Sequence, residues 1–336
     1  MSTIKKIKLG SQGLEVSQEG LGCMGMTTIA GGDIYGKADE QESIATIHRA
    51  LELGIDFLDT ADLYGPLLNE RLVAKAIKGN REKYTIATKF GYEIDDSDQL
   101  TWGFNGSPEY VRKAVDRSLK NLETDYIDLY YLHRLDPNTP IEETVGAMSE
   151  LVKSGKVKYI GLSEVSADTI KKAHKIHPLT AVQTEYSLFE REPEANGVLD
   201  TSNELGIGFV AYSPLGRGFI TGEIKSPDDF ADNDFRKGIP RYQGENFYKN
   251  LDLLKQIQVM ADKKEITPSQ LALAWVISNG IVAIPGTKRI KYIEENAAAM
   301  NVELTTEEKV QLESIIPVGI TAGTRYDAQG MKHVSI

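Results

Sequence analysis

Two patterns of apolar residues alternate along the chain. Short runs, nearly continuous in apolar residues and rich in β-branched and aromatic types, occupy positions 19–25, 55–59, 84–89, 127–133, 159–163, 181–185, 208–213 and 281–285. Runs of that length with little polar alternation predict strands covered on both faces. The longer stretches between them carry the i, i+3, i+4 stripe of amphipathic helices, as in "QESIATIHRALELG" and "IEETVGAMSELVKSGK". Helix-start signals agree with the stripe. Ser107 stands before Pro108, Thr267 stands before Pro268 with Gln270 closing a capping box, and Thr305 with Glu308 repeats the box.

Eight alternations of strand and helix predict an α/β fold, a (β/α)8 TIM barrel that takes in residues 1–336 as a single domain. The first 18 residues predict an N-terminal β-hairpin with "SQG" at its turn, capping the barrel bottom. A doubly wound sheet is the runner-up, weakened because no GxGxxG follows any of these strands. From Leu215 to Glu245 no periodicity is visible, and unpatterned segments of that length are either functional or disordered.

Composition narrows the function. With 38 Lys+Arg against 49 Asp+Glu the net charge is −11, which excludes a general nucleic-acid binder. The single cysteine, Cys23, rules out an intrachain disulfide and a cysteine metal cluster, and a lone thiol suits a reducing cytoplasm. Its setting in "GLGCMGM" predicts a buried structural thiol. No run approaches the roughly 18 apolar residues of a membrane span, and "MSTIKKIKLG" has no apolar signal core. A cytoplasmic protein that binds neither nucleic acid nor membrane is the expectation.

In a barrel of this kind the chemistry sits where the strands end. Those ends carry Asp59, Lys89, His133, Ser163 with Glu164, Gln183 with Glu185, Tyr212 and the "PGTKR" that follows the eighth strand, while Tyr64 lies five residues past Asp59. Singly, each has a plainer reading: a strand-end cap for Asp59, a rim residue for Tyr64, a hydrogen-bonded core histidine for His133. Lys89 at the end of an apolar strand is odder, since a buried lysine needs a partner. Together they suggest proton transfer. A tyrosine has an ordinary pKa of about 10, a neighbouring ammonium lowers it, Asp59 can hold that ammonium in place, and His133 can orient a carbonyl oxygen or relay a proton.

At this point the residues resemble those of the aldo-keto reductases. The stretch "GIDFLDTADLYG" is followed in order by "ATKFG", "YYLHRLD", "IGLSE", "VQTEYS", "AYSPLGRG" and "IPGTKRIKYIEEN", so the resemblance runs over roughly residues 5 to 316. It implies an NADPH-dependent enzyme, without a metal, that reduces a small-molecule aldehyde or ketone to an alcohol by hydride transfer. It implies Tyr64 as general acid, Lys89 and Asp59 lowering its pKa, and His133 facing the substrate oxygen. Ser163 and Gln183 would bind the nicotinamide carboxamide, with Tyr212 stacked on the ring. Leu215, Gly216, Arg217 and Gly218 would line the pyrophosphate. Gly286, Thr287, Lys288 and Arg289 would receive the 2′-phosphate, and Glu295 with Asn296 the adenine. The chain departs from the family pattern at Glu164, where many relatives have Asn, and at Gly286, Thr287 and Tyr292, where many have Lys, Ser and Arg. The cations move to Lys288 and Arg289, and two adjacent cations favour a phosphate-bearing cofactor. The alternative is a non-catalytic, nucleotide-sensing regulatory subunit of the same fold. Physiological substrate and oligomeric state are not legible.

The remaining features read as structure or stay open. Asp62 reads as a loop or capping residue, His174 and His177 as a solvated helix end, and "EIDDSD" as a mobile surface loop. Arg134 is either a salt-bridge partner or a substrate contact. Tyr92, Trp102 and Phe104 form either an apolar wall or packing, and Met24 and Met26 share that ambiguity.

Overall fold

The computed structural model describes residues 5–29 and 32–334. Eight strands form one sheet: Leu21–Gly22, Phe57–Asp59, Thr85–Phe90, Ile127–Leu132, Val157–Ser163, Ala181–Glu185, Gly208–Tyr212 and Val282–Ile284. Each pairs in parallel with the next in chain order. The first and eighth are stitched by Gly20 N donating to the Ala283 carbonyl at 2.8 Å and Gly22 N to that of Pro285 at 3.1 Å, which closes the barrel. Glycine is required at this seam, because a Cβ on Gly22 would stand 2.9 Å from the Ile284 carbonyl oxygen. The strands fall within the predicted runs or shift by a residue or two. Helices alternate with them, including Glu40–Glu52, Pro108–Asn121, Ile141–Lys153 and Pro268–Ser278. The caps on Ser107, Thr267 and Thr305 form as their sequences predict.

Two apolar layers result. Between strands and helices lies the larger core, which takes in Cys23. Inside the barrel a smaller cluster joins Phe57, Ala87, Leu129, Tyr131, Ala181 and Val210 to Leu9, Leu14 and Val16. Those last three belong to the hairpin Lys6–Leu9/Leu14–Ser17, which plugs the barrel bottom as predicted; residues 1–4 of that prediction lie outside the described residues. Side chains alternate along a strand. The residues two positions beyond this inner layer therefore share its inward face one step higher: Asp59 after Phe57, Lys89 after Ala87, His133 after Tyr131, Gln183 after Ala181, Tyr212 after Val210. The polar rim is a register consequence of the apolar interior.

The segment 215–245 is a chain of short 3-10 turns, at Gly216–Thr221, Pro227–Asp229, Phe235–Gly238 and Pro240–Tyr242. It ends in a 20-residue helix, Gly244–Lys263. "EIDDSD" is the tip of a hairpin between Tyr92–Ile94 and Leu100–Phe104, where the Asp95 side chain accepts from the Ser97 and Gln99 amides. Among the described residues no helix is long and apolar enough to cross a membrane.

Candidate active site

Asp59 ends the second barrel strand and Lys89 stands one residue from the end of the third, on neighbouring strands whose register brings the two side chains together. Lys89 is fully buried and donates to Asp59 Oδ1 and, at 2.8 Å, to the Thr60 carbonyl. Gln183 Nε2 donates to the other Asp59 oxygen at 2.7 Å. The carboxylate is thus held on both sides, and the ammonium is fixed at the base of the rim. The short turn after Asp59 returns Tyr64 over this pair, its hydroxyl 3.5 Å from Lys89 Nζ. His133 stands edge-on to the Tyr64 ring, centroids 5.9 Å apart, and edge-on to Tyr92 at 5.3 Å. Its Nδ1 is buried with no hydrogen-bond partner among the described residues.

Burial dominates the electrostatics. It pushes the Tyr64 phenol well above its ordinary range, the Asp59 charge pushes the same way, and the Arg134 guanidinium opposes them. The Asp59 charge by itself works against tyrosinate, while its carboxylate holds Lys89 in place. Burial also lowers Lys89, against the pull of Asp59. His133 is lowered well below its usual value by burial, then by Arg134 and Lys89, so its imidazole is neutral at pH 7.

The predicted cofactor residues divide into three sets. Ser163 and Gln183 sit side by side on paired strands, so a hydroxyl and an amide face the same rim. At the eighth strand's end, Gly286 and Arg289 are exposed before the helix Ile290–Ala298, with Thr287 Oγ1 accepting from the Arg289 amide at 3.1 Å. Lys288 is turned inward onto the carbonyls of Ile34 and Gly36. Asn296 is buried on that helix, and Glu295 accepts from the capping hydroxyl of Thr267 at 2.8 Å, which ties it to the preceding helix. Leu215, Gly216 and Gly218 form the turn after the seventh strand, with Gly216 and Gly218 at positive φ. Arg217, in the same turn, has its guanidinium buried against Glu185 at 2.7 Å and over the Tyr326 ring.

Three outcomes differ from the sequence expectations or add to them. Asp62 lies in the loop after the second strand, as read from the sequence, but it is fully buried and paired with Arg117 at 3.2 Å; burial and then Glu70 raise its carboxyl to about 8. Glu164, just past the fifth barrel strand, is buried. It is gripped by both terminal nitrogens of Arg325, at 2.8 and 2.7 Å, and although burial pushes its carboxyl up, Arg325 prevails and holds it to about 2. Beside Arg325, the Tyr326 hydroxyl meets that of Tyr212 at 2.9 Å. The tail thus supplies two rim residues with no local signal, since their partners are more than 100 positions away. Of the features left open, Tyr92 packs on His133 and on Phe104, Phe104 packs on His333, and Trp102 is exposed on the hairpin. Met24 packs beside Tyr64, and Met26 is core. His174 accepts the Leu179 amide at its helix end.

A parallel barrel whose rim gathers an Asp–Lys pair, a tyrosine and a neutral histidine is the arrangement on which the comparisons bear. Residues 23–317 match the Aldo/keto reductase family, and the chain belongs to that family. It is 48% identical over 335 residues to "Probable aldo-keto reductase 1" of Glycine max, covering 99% of this chain and 94% of that one. Among solved structures, a glycerol dehydrogenase from Gluconobacter oxydans is similar with a TM-score of 0.83 at 28% identity, covering 94% of this chain and 95% of that one. An aldo-keto reductase from Klebsiella pneumoniae in complex with NADPH is similar with a TM-score of 0.71 at 26% identity, covering 97% and 99%.

Proposed function

We propose that this protein is an NADPH-dependent, cytoplasmic reductase of small aldehydes and ketones in which Tyr64 protonates the carbonyl oxygen. The observation that carries the reading is the Tyr64 hydroxyl 3.5 Å from a buried lysine that is itself pinned by Asp59. Kept protonated by its burial, Tyr64 is suited to donate rather than to accept. Lys89 then faces the tyrosinate left behind, and His133, neutral, can hydrogen-bond the reacting oxygen without competing for charge.

The chain's own groups fit the cofactor. Ser163 offers a hydroxyl and Gln183 a carbonyl oxygen, matching the acceptor and donor of a carboxamide. Arg289, exposed at the start of the helix Ile290–Ala298, suits a phosphate monoester. NADPH, when bound, supplies the hydride. The NADPH complex of the Klebsiella pneumoniae relative supports the same choice. The test is Tyr64→Phe, assayed by NADPH consumption with a simple aromatic aldehyde and no partner added. Turnover falls by about 100- to 10,000-fold while NADPH affinity stays within a few-fold, the range a proton donor contributes to rate. A variant with native turnover would remove Tyr64 from the chemistry.

A further inference from the structure

Five arginines of the described chain are buried: Arg134, Arg191, Arg217, Arg241 and Arg325. Four of them face a carboxylate at close range: Arg191 pairs with Glu194 at 2.7 Å, Arg217 with Glu185 at 2.7 Å, Arg241 with Glu190 at 2.9 Å and Arg325 with Glu164 at 2.7 Å. Arg134 has no carboxylate within 4 Å among the described residues, and the one whose charge reaches it, Glu164, is already paired with Arg325. A guanidinium withdrawn from water without a counter-ion is costly and is retained where an anion completes it.

Its position says which anion. Arg134 follows His133 in the chain, at the rim, and its contacts are modest: the His133 carbonyl at 2.8 Å, and the hydroxyls of Ser163 and Tyr326, each at 3.4 Å. The Nε atoms of Arg241 and Arg325 are sealed and unbonded, whereas no nitrogen of Arg134 is, so the donors it has left over remain open to solvent. Its charge reaches the proton-handling groups, opposing the burial of Tyr64 and adding to that of His133. Three other cations at this rim, Lys89, Arg217 and Arg325, are each paired with a carboxylate. One positive charge is left over beside the reacting oxygen, which matches a monoanion better than a phosphate dianion.

We propose that Arg134 is a substrate-anchoring residue, and that the carbonyl compounds this site favours carry a carboxylate. The inference rests on the reductase reading and adds a substrate class to it. A planar guanidinium that keeps part of its fork available binds a carboxylate through paired N–H donors, which a neutral carbonyl compound cannot use.

The test compares kcat/KM for 4-carboxybenzaldehyde, its methyl ester and 4-formylphenyl phosphate, with NADPH, in the native protein, Arg134→Met and Arg134→Lys. The native protein prefers the acid to the ester, and Arg134→Met lowers that acid-to-ester ratio by about 10- to 100-fold, mainly through KM of the acid. Arg134→Lys keeps part of the ratio. A purely structural role would depress both substrates and leave the ratio where it was. Calorimetric binding of benzoate to the NADPH-bound protein gives a second readout, weakened by the same factor in Arg134→Met. An unchanged ratio with unchanged benzoate binding overturns the anchor and leaves the reductase reading standing. Absence of turnover with every carbonyl, alongside benzoate binding that depends on Arg134, overturns the reductase reading and leaves the anchor. Preference for the phosphate over the acid overturns the choice of a monoanion.

Discussion

Two buried carboxylates of the barrel sheet meet opposite fates. Asp59, at the strand ends, is held by Lys89 and Gln183. Glu19, at the closing seam, is fully buried with both oxygens unpartnered among the described residues, and burial raises its pKa well above the usual range. The folded carboxyl therefore keeps its proton where the unfolded one has lost it, so the native state binds more protons and stability falls as pH rises between the two values. Glu19→Gln has no proton to keep. Its stability relative to the native protein should climb by about 1–3 kcal/mol from about pH 4 to about pH 8, read from denaturant midpoints. Lys89→Met does the reverse at the other end of the barrel, leaving Asp59 charged without its cation. A loss of about 3–5 kcal/mol is expected together with loss of turnover. Adding Asp59→Asn should return much of the stability and none of the activity. If the double variant were as unstable as the single, the pair would not be the source of the cost.

Elements defined by their own residues were legible; those defined by remote partners were not. Barrel strands announced themselves as unbroken apolar runs, and the caps on Ser107, Thr267 and Thr305 as local grammar. The helix Gly244–Lys263 lacks both signals: Gln243 makes no side-chain cap, Gly244 starts at φ 48, and one of its core positions is Asn250. Asn250 is buried because it donates to the Arg241 and Ala322 carbonyls and accepts the Ala322 amide, so this helix carries the tail. Asp59, Lys89 and His133 were legible as a set because strand ends have a known place in a barrel. Arg325 and Tyr326 were not, because nothing near them in sequence says that Glu164 and Tyr212 lie opposite. Arg325→Met should release this strap. Amides from 321 to 334 are expected to exchange with solvent at least about tenfold faster, while those of the strand Gly208–Tyr212 change less. Uniform acceleration across both would mean that the tail is not a separable element.

For the molecule as a whole, closure at the bottom matters as much as chemistry at the top. The hairpin reaches the base of the seventh strand so closely that a Cβ on Gly208 would stand 2.4 Å from the Leu9 side chain and 2.7 Å from the Gly10 amide. Gly208→Ala should cost about 1–3 kcal/mol or more by forcing plug and barrel apart, with a lowered Tm as the readout. Retention of the native Tm would show that the plug can shift without loss.

The roof is fastened from the last stretch of the chain onto groups that appear far earlier. Glu164 is made before its counter-ion Arg325 by 161 residues, and the Tyr212 hydroxyl before that of Tyr326 by 114. During synthesis, then, a growing chain carries Glu164 without its paired guanidinium until residue 325 is made. Domains made from the N-terminus can begin to organise early, but these two rim contacts wait for residues 325 and 326. Termination before residue 325 would spare every barrel strand and still leave Glu164 and Tyr212 without these partners.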